Sequence, residues 1–145
     1  NKNKGFGFYS FLDKNLDFDK YSFTFIGNDP GIDFKNIKKE GPFDSSELSN
    51  RLKTHDIFIT ASRHECCSNS LLEAMSCGLP VVSLNSGGSP ELIGNGGELF
   101  ESESDIIQAI DNVAENINKY KNGIVSPSIE KIAQEYLLWF GDLIS

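Results

Sequence analysis

The chain is short of cysteine, of basic residues and of long apolar runs. Cys66, Cys67 and Cys77 are its three cysteines in 145 residues. They have neither the number nor the spacing of a disulfide framework or a metal site. Adjacent cysteines rarely pair with each other, so the sequence predicts reduced thiols in a cytoplasmic protein. No apolar stretch reaches the roughly 18 residues that span a bilayer, and no secretory signal is visible. Thirteen Lys and Arg against 21 Asp and Glu leave a net charge of −8. That balance argues against a nucleic-acid partner or an anionic membrane surface, since either favours a basic face. Low-complexity tracts are absent too. What is there is globular: 39% apolar and 23% charged residues, in a length that suits one domain with a sizeable core.

Short, continuous apolar runs recur along the chain. Phe23-Thr24-Phe25-Ile26, Asp56-Ile57-Phe58-Ile59-Thr60 and Val81-Val82-Ser83-Leu84 lack alternation, as strands buried on both faces of a parallel sheet do. Gly94-Asn95-Gly96-Gly97 turns into a further short strand. Helices are predicted between them: over 5–15 with Phe8, Phe11 and Leu12, and over 45–54 with Ser45 or Ser46 as cap. Others run from about Ser70 to Cys77, stopped by Gly78, and from about Ser104 to Tyr120, with Ile106, Ile107, Ile110, Val113 and Ile117 on one face. A last helix from about Ser128 to Leu143 carries Ile132, Tyr136, Trp139 and Phe140. Strands alternating with helices predict one α/β domain, a doubly wound, Rossmann-like parallel sheet. Asn1-Lys2-Asn3-Lys4 leads straight into the first helix with no strand before it, which suggests a chain cut from something longer.

In such sheets ligands bind beyond the carboxyl ends of the strands. The loop after Thr60 holds Glu65, and a helix beginning at Ser68-Asn69-Ser70 carries Glu73. Free N–H groups and the helix dipole at that start make an anion site, with a carboxylate on each side. Glu73 has a second reading, because Ser70-Leu71-Leu72-Glu73 also fits a capping box; residues alone leave both open. His64 reads as a surface neighbour of Glu65, Arg63 as a solvated residue or a phosphate contact, and His55 as a helix-end residue. Gly87-Gly88-Ser89-Pro90-Glu91 reads as a turn into a short helix, lining the cleft or purely structural.

Taken in order, Glu65-x7-Glu73, Ala74-Met75-x-x-Gly78-Leu79-Pro80-Val81-Val82 and Gly87-Gly88-x-Pro90-Glu91 resemble the signature of retaining GT-B glycosyltransferases, the large family that includes sucrose synthases. Lys4-Gly5 resembles the family's phosphate-binding lysine–glycine, and Gly27-Asn28 its glycine loop. The family usually has Phe-Gly-Leu where this chain has Cys67-Ser68-Asn69. The resemblance implies the C-terminal, donor-binding half of a GT-B enzyme. Glu65 would face the donor sugar as the catalytic residue, Glu73 the ribose, and Ser68, Asn69 and Ser70 the pyrophosphate and sugar. Lys4 would neutralise the diphosphate, and the backbone near Lys39, Glu40 and Gly41 would lie beside the base.

It implies a nucleotide diphosphate-sugar as co-substrate, with no metal and no other cofactor required. No Asp-x-Asp run occurs in a loop expected to follow a strand. An N-terminal acceptor domain would lie outside this chain and could hold the protein at a membrane periphery. Weak self-association through the last helix would follow. Two alternatives share the architecture: an epimerase-like or phosphorylase-like enzyme, and a non-catalytic nucleotide-binding module. No lysine lies between Lys53 and Lys119 to serve a pyridoxal-type phosphorylase.

Overall fold

The computed structural model describes residues 2–125 and 129–144; Asn1 and Ser128 lie outside the described residues. Five strands alternate with helices: β1 Thr24–Ile26, β2 Lys38–Glu40, β3 Phe58–Thr60, β4 Val81–Leu84 and β5 Gly97–Phe100. The helices are α1 Phe6–Asn15, α2 Ser45–Leu52, α3 Asn69–Ser76, α4 Ser89–Ile93, α5 Glu103–Glu115, α6 Ile117–Gly123 and α7 Ile129–Ile144. Every described strand pairing is parallel.

The expected continuous sheet is in two pieces, β1-β2 and β3-β4-β5. β4, flanked on both sides, is buried throughout. Its side chains alternate: Val82 and Leu84 join Phe8, Leu12, Phe100, Ile106 and Val113 on one face, and Val81 joins Leu71, Met75 and Ile93 on the other. That period of two puts helices on both faces, the mark of a doubly wound domain. β1 and most of β3 stay only partly buried.

Sequence periodicity missed β2, because Lys38-Lys39-Glu40 contains no apolar residue. Its position is fixed by Asp13 instead. That buried carboxylate accepts N–H bonds from Lys35 at 2.9 Å, Asn36 at 2.8 Å and Ile37 at 2.9 Å. Burial alone would raise its pKa; the three bonds outweigh that and hold the carboxyl below its ordinary value. The sign follows from linkage: the contribution is full above the ordinary carboxylate range, near pH 4, and is lost as pH falls through the depressed folded value. Asp13→Ala should cost about 2–4 kcal/mol, the effect of orphaning several donors at once, and urea melts at pH 7 and pH 3 should show the difference shrinking in acid.

Three further boundaries moved for local reasons. The cap of α2 is Asp44 rather than Ser45 or Ser46; its carboxylate accepts from the Ser46 and Glu47 N–H groups at 2.9 Å each. The single helix expected to Tyr120 breaks at Asn116, whose side chain donates to the Asn112 carbonyl at 3.0 Å in competition with the helical pattern. α3 starts at Asn69 with Ser68 as its cap residue. α7 carries exposed Tyr136, Leu137 and Leu138, while the side chains of Ile132, Trp139 and Phe140 lie outside the described residues.

Candidate functional site

Three segments meet above the carboxyl ends of β1 and β3. The first is Lys4-Gly5. Gly5 has φ +63°, and a Cβ there would lie 2.1 Å from the Ala61 carbonyl oxygen. Only glycine fits this left-handed approach. Beside it the Arg63 N–H donates to the Asn3 carbonyl at 2.7 Å. The start of α1 is thereby pressed onto the end of β3, which brings Lys4 Nζ to 2.5 Å from Glu65 Oε1.

The second segment is the loop of Glu65. His64 turns it with φ +59° and donates its N–H to Ser86 Oγ at 3.1 Å. Gly88 donates its N–H to the Glu65 carbonyl at 2.9 Å. A Cβ at Gly87 would sit 2.3 Å from that same Glu65 oxygen, and one at Gly88 2.0 Å from the Cys66 oxygen. The Gly-Gly turn is thus a bed for the Glu65 loop. It reaches the site through backbone; its residues do not line the cleft.

The third segment is the start of α3. Ser68 is buried, yet its side chain makes no capping bond to the helix; its Oγ lies 3.1 Å from Ser70 Oγ. The first N–H groups of α3 therefore have no side-chain cap. The capping box that Ser70 and Glu73 could have formed is not there: Glu73 is the fifth helical residue, exposed, on the wall of the cleft.

A cleft of about 1080 Å³ takes in Lys4, Gly27, Asn28, Ser70 and Glu73. Glu65 borders it through Lys4; Gly5, Gly41, Ser68 and Asn69 are not among its lining residues but adjoin ones that are or lie close to them. Gly27 and Gly41 lie together, since Gly27 donates its N–H to the Glu40 carbonyl at 3.0 Å and a Cβ on Gly41 would come within 3.4 Å of the Gly27 nitrogen. The Lys4 ammonium, opposed by partial burial and helped by Ser68, holds the Glu65 carboxyl below its ordinary value. At neutral pH Glu65 is an anion, suited to accepting hydrogen bonds or meeting positive charge rather than donating a proton.

Two residues escaped the sequence reading. Tyr9 is buried, its phenol pushed up chiefly by burial, and its oxygen accepts the Ala61 N–H at 3.1 Å. Arg51 of α2 lines the cleft and forks onto Glu40, with Nε 2.5 Å from Oε2. Helical spacing signals the burial of Tyr9, but nothing local signals a pairing of Glu40 with Arg51. Arg63 points elsewhere, its guanidinium 5.7 Å from the centre of the Phe8 ring. His55 closes α2, its Nδ1 2.9 Å from the Arg51 carbonyl. Cys66 and Cys67 are exposed free thiols. No group of three or more metal-ligating side chains occurs among the described residues. No helix among them is long and apolar enough to cross a membrane.

Residues 14–135 match the family described as glycosyl transferases group 1. The chain belongs to that family. Single proteins are similar to it as well. The chain is 31% identical over 120 residues to an uncharacterized 41.2 kDa protein in the cps region of Klebsiella pneumoniae, covering 77% of this chain and 34% of that one. It is 33% identical over 92 residues to a probable sucrose-phosphate synthase of Thermosipho melanesiensis, covering 59% and 22%. The chain thus spans about a third or less of these curated relatives' length. Among solved structures it resembles Anabaena HepE in complex with UDP-glucose, with TM-score 0.65 and 20% identity over 83% of this chain and 38% of that one. It also resembles the pneumococcal O-GlcNAc transferase GtfA in complex with UDP and GlcNAc, with TM-score 0.61 and 17% identity over 84% and 29%. At these identities the likeness shows the fold, a Rossmann-like half of the GT-B architecture.

Proposed function

We propose that the chain is the donor-binding half of a retaining glycosyltransferase that takes a nucleotide diphosphate-sugar. One observation carries this reading: the uncapped N-terminus of α3 opens beside a cleft flanked by Lys4, Glu65 and Glu73. Helix N–H groups and a lysine suit a diphosphate. Glu73, free of structural duty, accepts from ribose hydroxyls; Glu65 faces the sugar. The backbone of Glu40 and Gly41, beside Gly27 and Asn28, lies along the base. The diphosphate displaces Glu65 as the partner of Lys4, leaving the carboxylate for the sugar, and its developing charge on departure meets donors already in place. Bound UDP-glucose in HepE and bound UDP with GlcNAc in GtfA support a nucleotide of this kind.

The acceptor, a glycan, lipid or other hydroxyl, is held by an N-terminal domain outside this chain. Exposed Tyr136, Leu137 and Leu138 on α7 make weak self-association of the isolated chain part of the same reading. A metal is not required. Calorimetry with UDP, GDP and ADP in the presence of a chelator should show binding of at least one. At 100 times its dissociation constant that nucleotide should stabilise the chain by about 2.7 kcal/mol. Binding that appears only when Mg²⁺ or Mn²⁺ is added would contradict the assignment.

A further inference from the structure

We infer that the adjacent pair Cys66-Cys67 is a thiol-modification site, where a mixed disulfide with a small anionic thiol closes the start of α3 to its ligand. Both cysteines are exposed free thiols. They fill the two positions between Glu65, the partner of Lys4, and Ser68, the cap residue of α3. The location of the site stands on these residues alone, while its consequence for binding rests on the donor-binding reading. Thiols react with disulfides where they are accessible. Cys77 is the contrast within the chain: it is half-buried against Leu52, Ala74 and Leu79, with its Sγ 3.7 Å from Ser49 Oγ.

The backbone keeps the pair in place. The Glu65 carbonyl accepts the Gly88 N–H at 2.9 Å, and a Cβ at Gly88 would lie 2.0 Å from the Cys66 carbonyl oxygen. On the other side Ser68 is buried. The main chain is therefore held before and after two exposed residues. A group added to either sulfur cannot be carried away by the loop, and it stays beside the uncapped N–H groups at the start of α3. Nor can the pair readily expel the adduct by closing on itself. A disulfide takes Cα atoms about 4.4–6.8 Å apart, whereas neighbouring Cα atoms lie about 3.8 Å apart across a trans peptide. Ring closure would need backbone movement that the Gly88 contacts and the burial of Ser68 oppose.

The step is thiol–disulfide exchange with a small disulfide as the oxidant. One cysteine gives up its proton and its sulfur attacks the disulfide. The reagent's S–S bond breaks as the protein S–S bond forms, and the departing thiolate takes up a proton. The cysteine is oxidised and the leaving half is reduced. A glutathionyl adduct carries two carboxylates and one ammonium. Its net negative charge is drawn to the helix start and to Lys4, the groups that the diphosphate would use, so it competes for charge as well as for space.

Equilibration of the chain in glutathione redox buffers tests the inference, with adducts mapped by tandem mass spectrometry. Calorimetry then reads affinity for whichever of UDP, GDP or ADP binds the reduced chain. Adducts should form on Cys66 or Cys67 and spare Cys77. They should weaken nucleotide binding at least about ten-fold, and dithiothreitol should restore it. Coupling is reciprocal, so saturating nucleotide should raise the disulfide-to-thiol ratio needed for half-modification by the same factor, a readout that needs no variant. The double variant Cys66→Ser, Cys67→Ser should bind nucleotide as the reduced chain does and ignore the disulfide. Adducts that fall mainly on Cys77 would overturn the inference. So would full affinity in the chain modified at Cys66 or Cys67, or an equal loss of affinity in the treated double variant. If the reduced chain binds none of the three nucleotides, the donor-binding reading and the consequence fail together, and the adduct map still decides the location.

Discussion

Gly88→Ala is expected to destabilise the chain by about 1–3 kcal/mol, the range for forced overpacking, and to weaken nucleotide binding at least about ten-fold. Gly88 has φ −86°, which any residue adopts, so the new methyl acts through space alone. It would land 2.0 Å from the Cys66 carbonyl oxygen, a separation that non-bonded atoms do not tolerate. The Gly88 N–H bond to Glu65 lies next to it, so the Glu65 loop must move. Lys4 then loses the geometry of its partner. Gly7→Ala is the control: a Cβ there meets nothing within 4 Å, and alanine in a helix should stabilise by about 0.4–1 kcal/mol. Urea melts and calorimetry on both variants read the two effects separately. Unchanged affinity in Gly88→Ala would mean that the Glu65 loop does not position the ligand.

The second large effect belongs to Glu73, and it should be nearly silent in stability. The side chain is exposed and caps nothing, so Glu73→Gln should shift stability by under about 0.5 kcal/mol, as surface changes do. As a charged acceptor for ribose hydroxyls it should matter far more. The same substitution should weaken nucleotide binding by about 1.5–3 kcal/mol, the range for hydrogen bonds to charged groups. A variant with full affinity would remove Glu73 from the site; one with lowered stability and full affinity would return it to a structural role.

The fold is most legible in the sequence where one rule acts alone. Val81 to Leu84 is buried on both faces and was legible as a strand from its apolar run. Ile106, Ile110 and Val113 were legible from helical spacing, and the turns at Gly27 and Gly87-Gly88 from glycine chemistry. Lys38-Lys39-Glu40 was not, because its ladder depends on Asp13, more than 20 residues away, gripping the preceding turn. The break at Asn116 was hidden by an apolar stripe that runs through it unchanged. Nor did any local pattern show that β1 and β3 remain unpaired to each other.

At the candidate site, the expected anion site at the start of α3 and the flanking acids are legible from residue types and spacing, while their family meaning comes from resemblance. Glu73 shows the limit well. Cap and ligand contact use the same carboxylate, and only the helix start decides between them: it lies at Asn69, which puts Glu73 two residues too far along to cap. The Lys4 contact with Glu65 spans 61 residues and exists only because Gly5 lets the chain settle on Ala61. Sequence names such partners one at a time; folding introduces them.

On the proposed reading, a nucleotide diphosphate sits on the free N–H groups of α3. Amide resonances of Asn69, Ser70 and Leu71, followed while the chain is titrated in chelator with UDP, GDP or ADP and in parallel with the matching nucleosides, test it most directly. Large, saturable shifts of these three amides are expected with a diphosphate, and little change with its nucleoside. A nucleotide that binds and leaves all three amides where they were would contradict it.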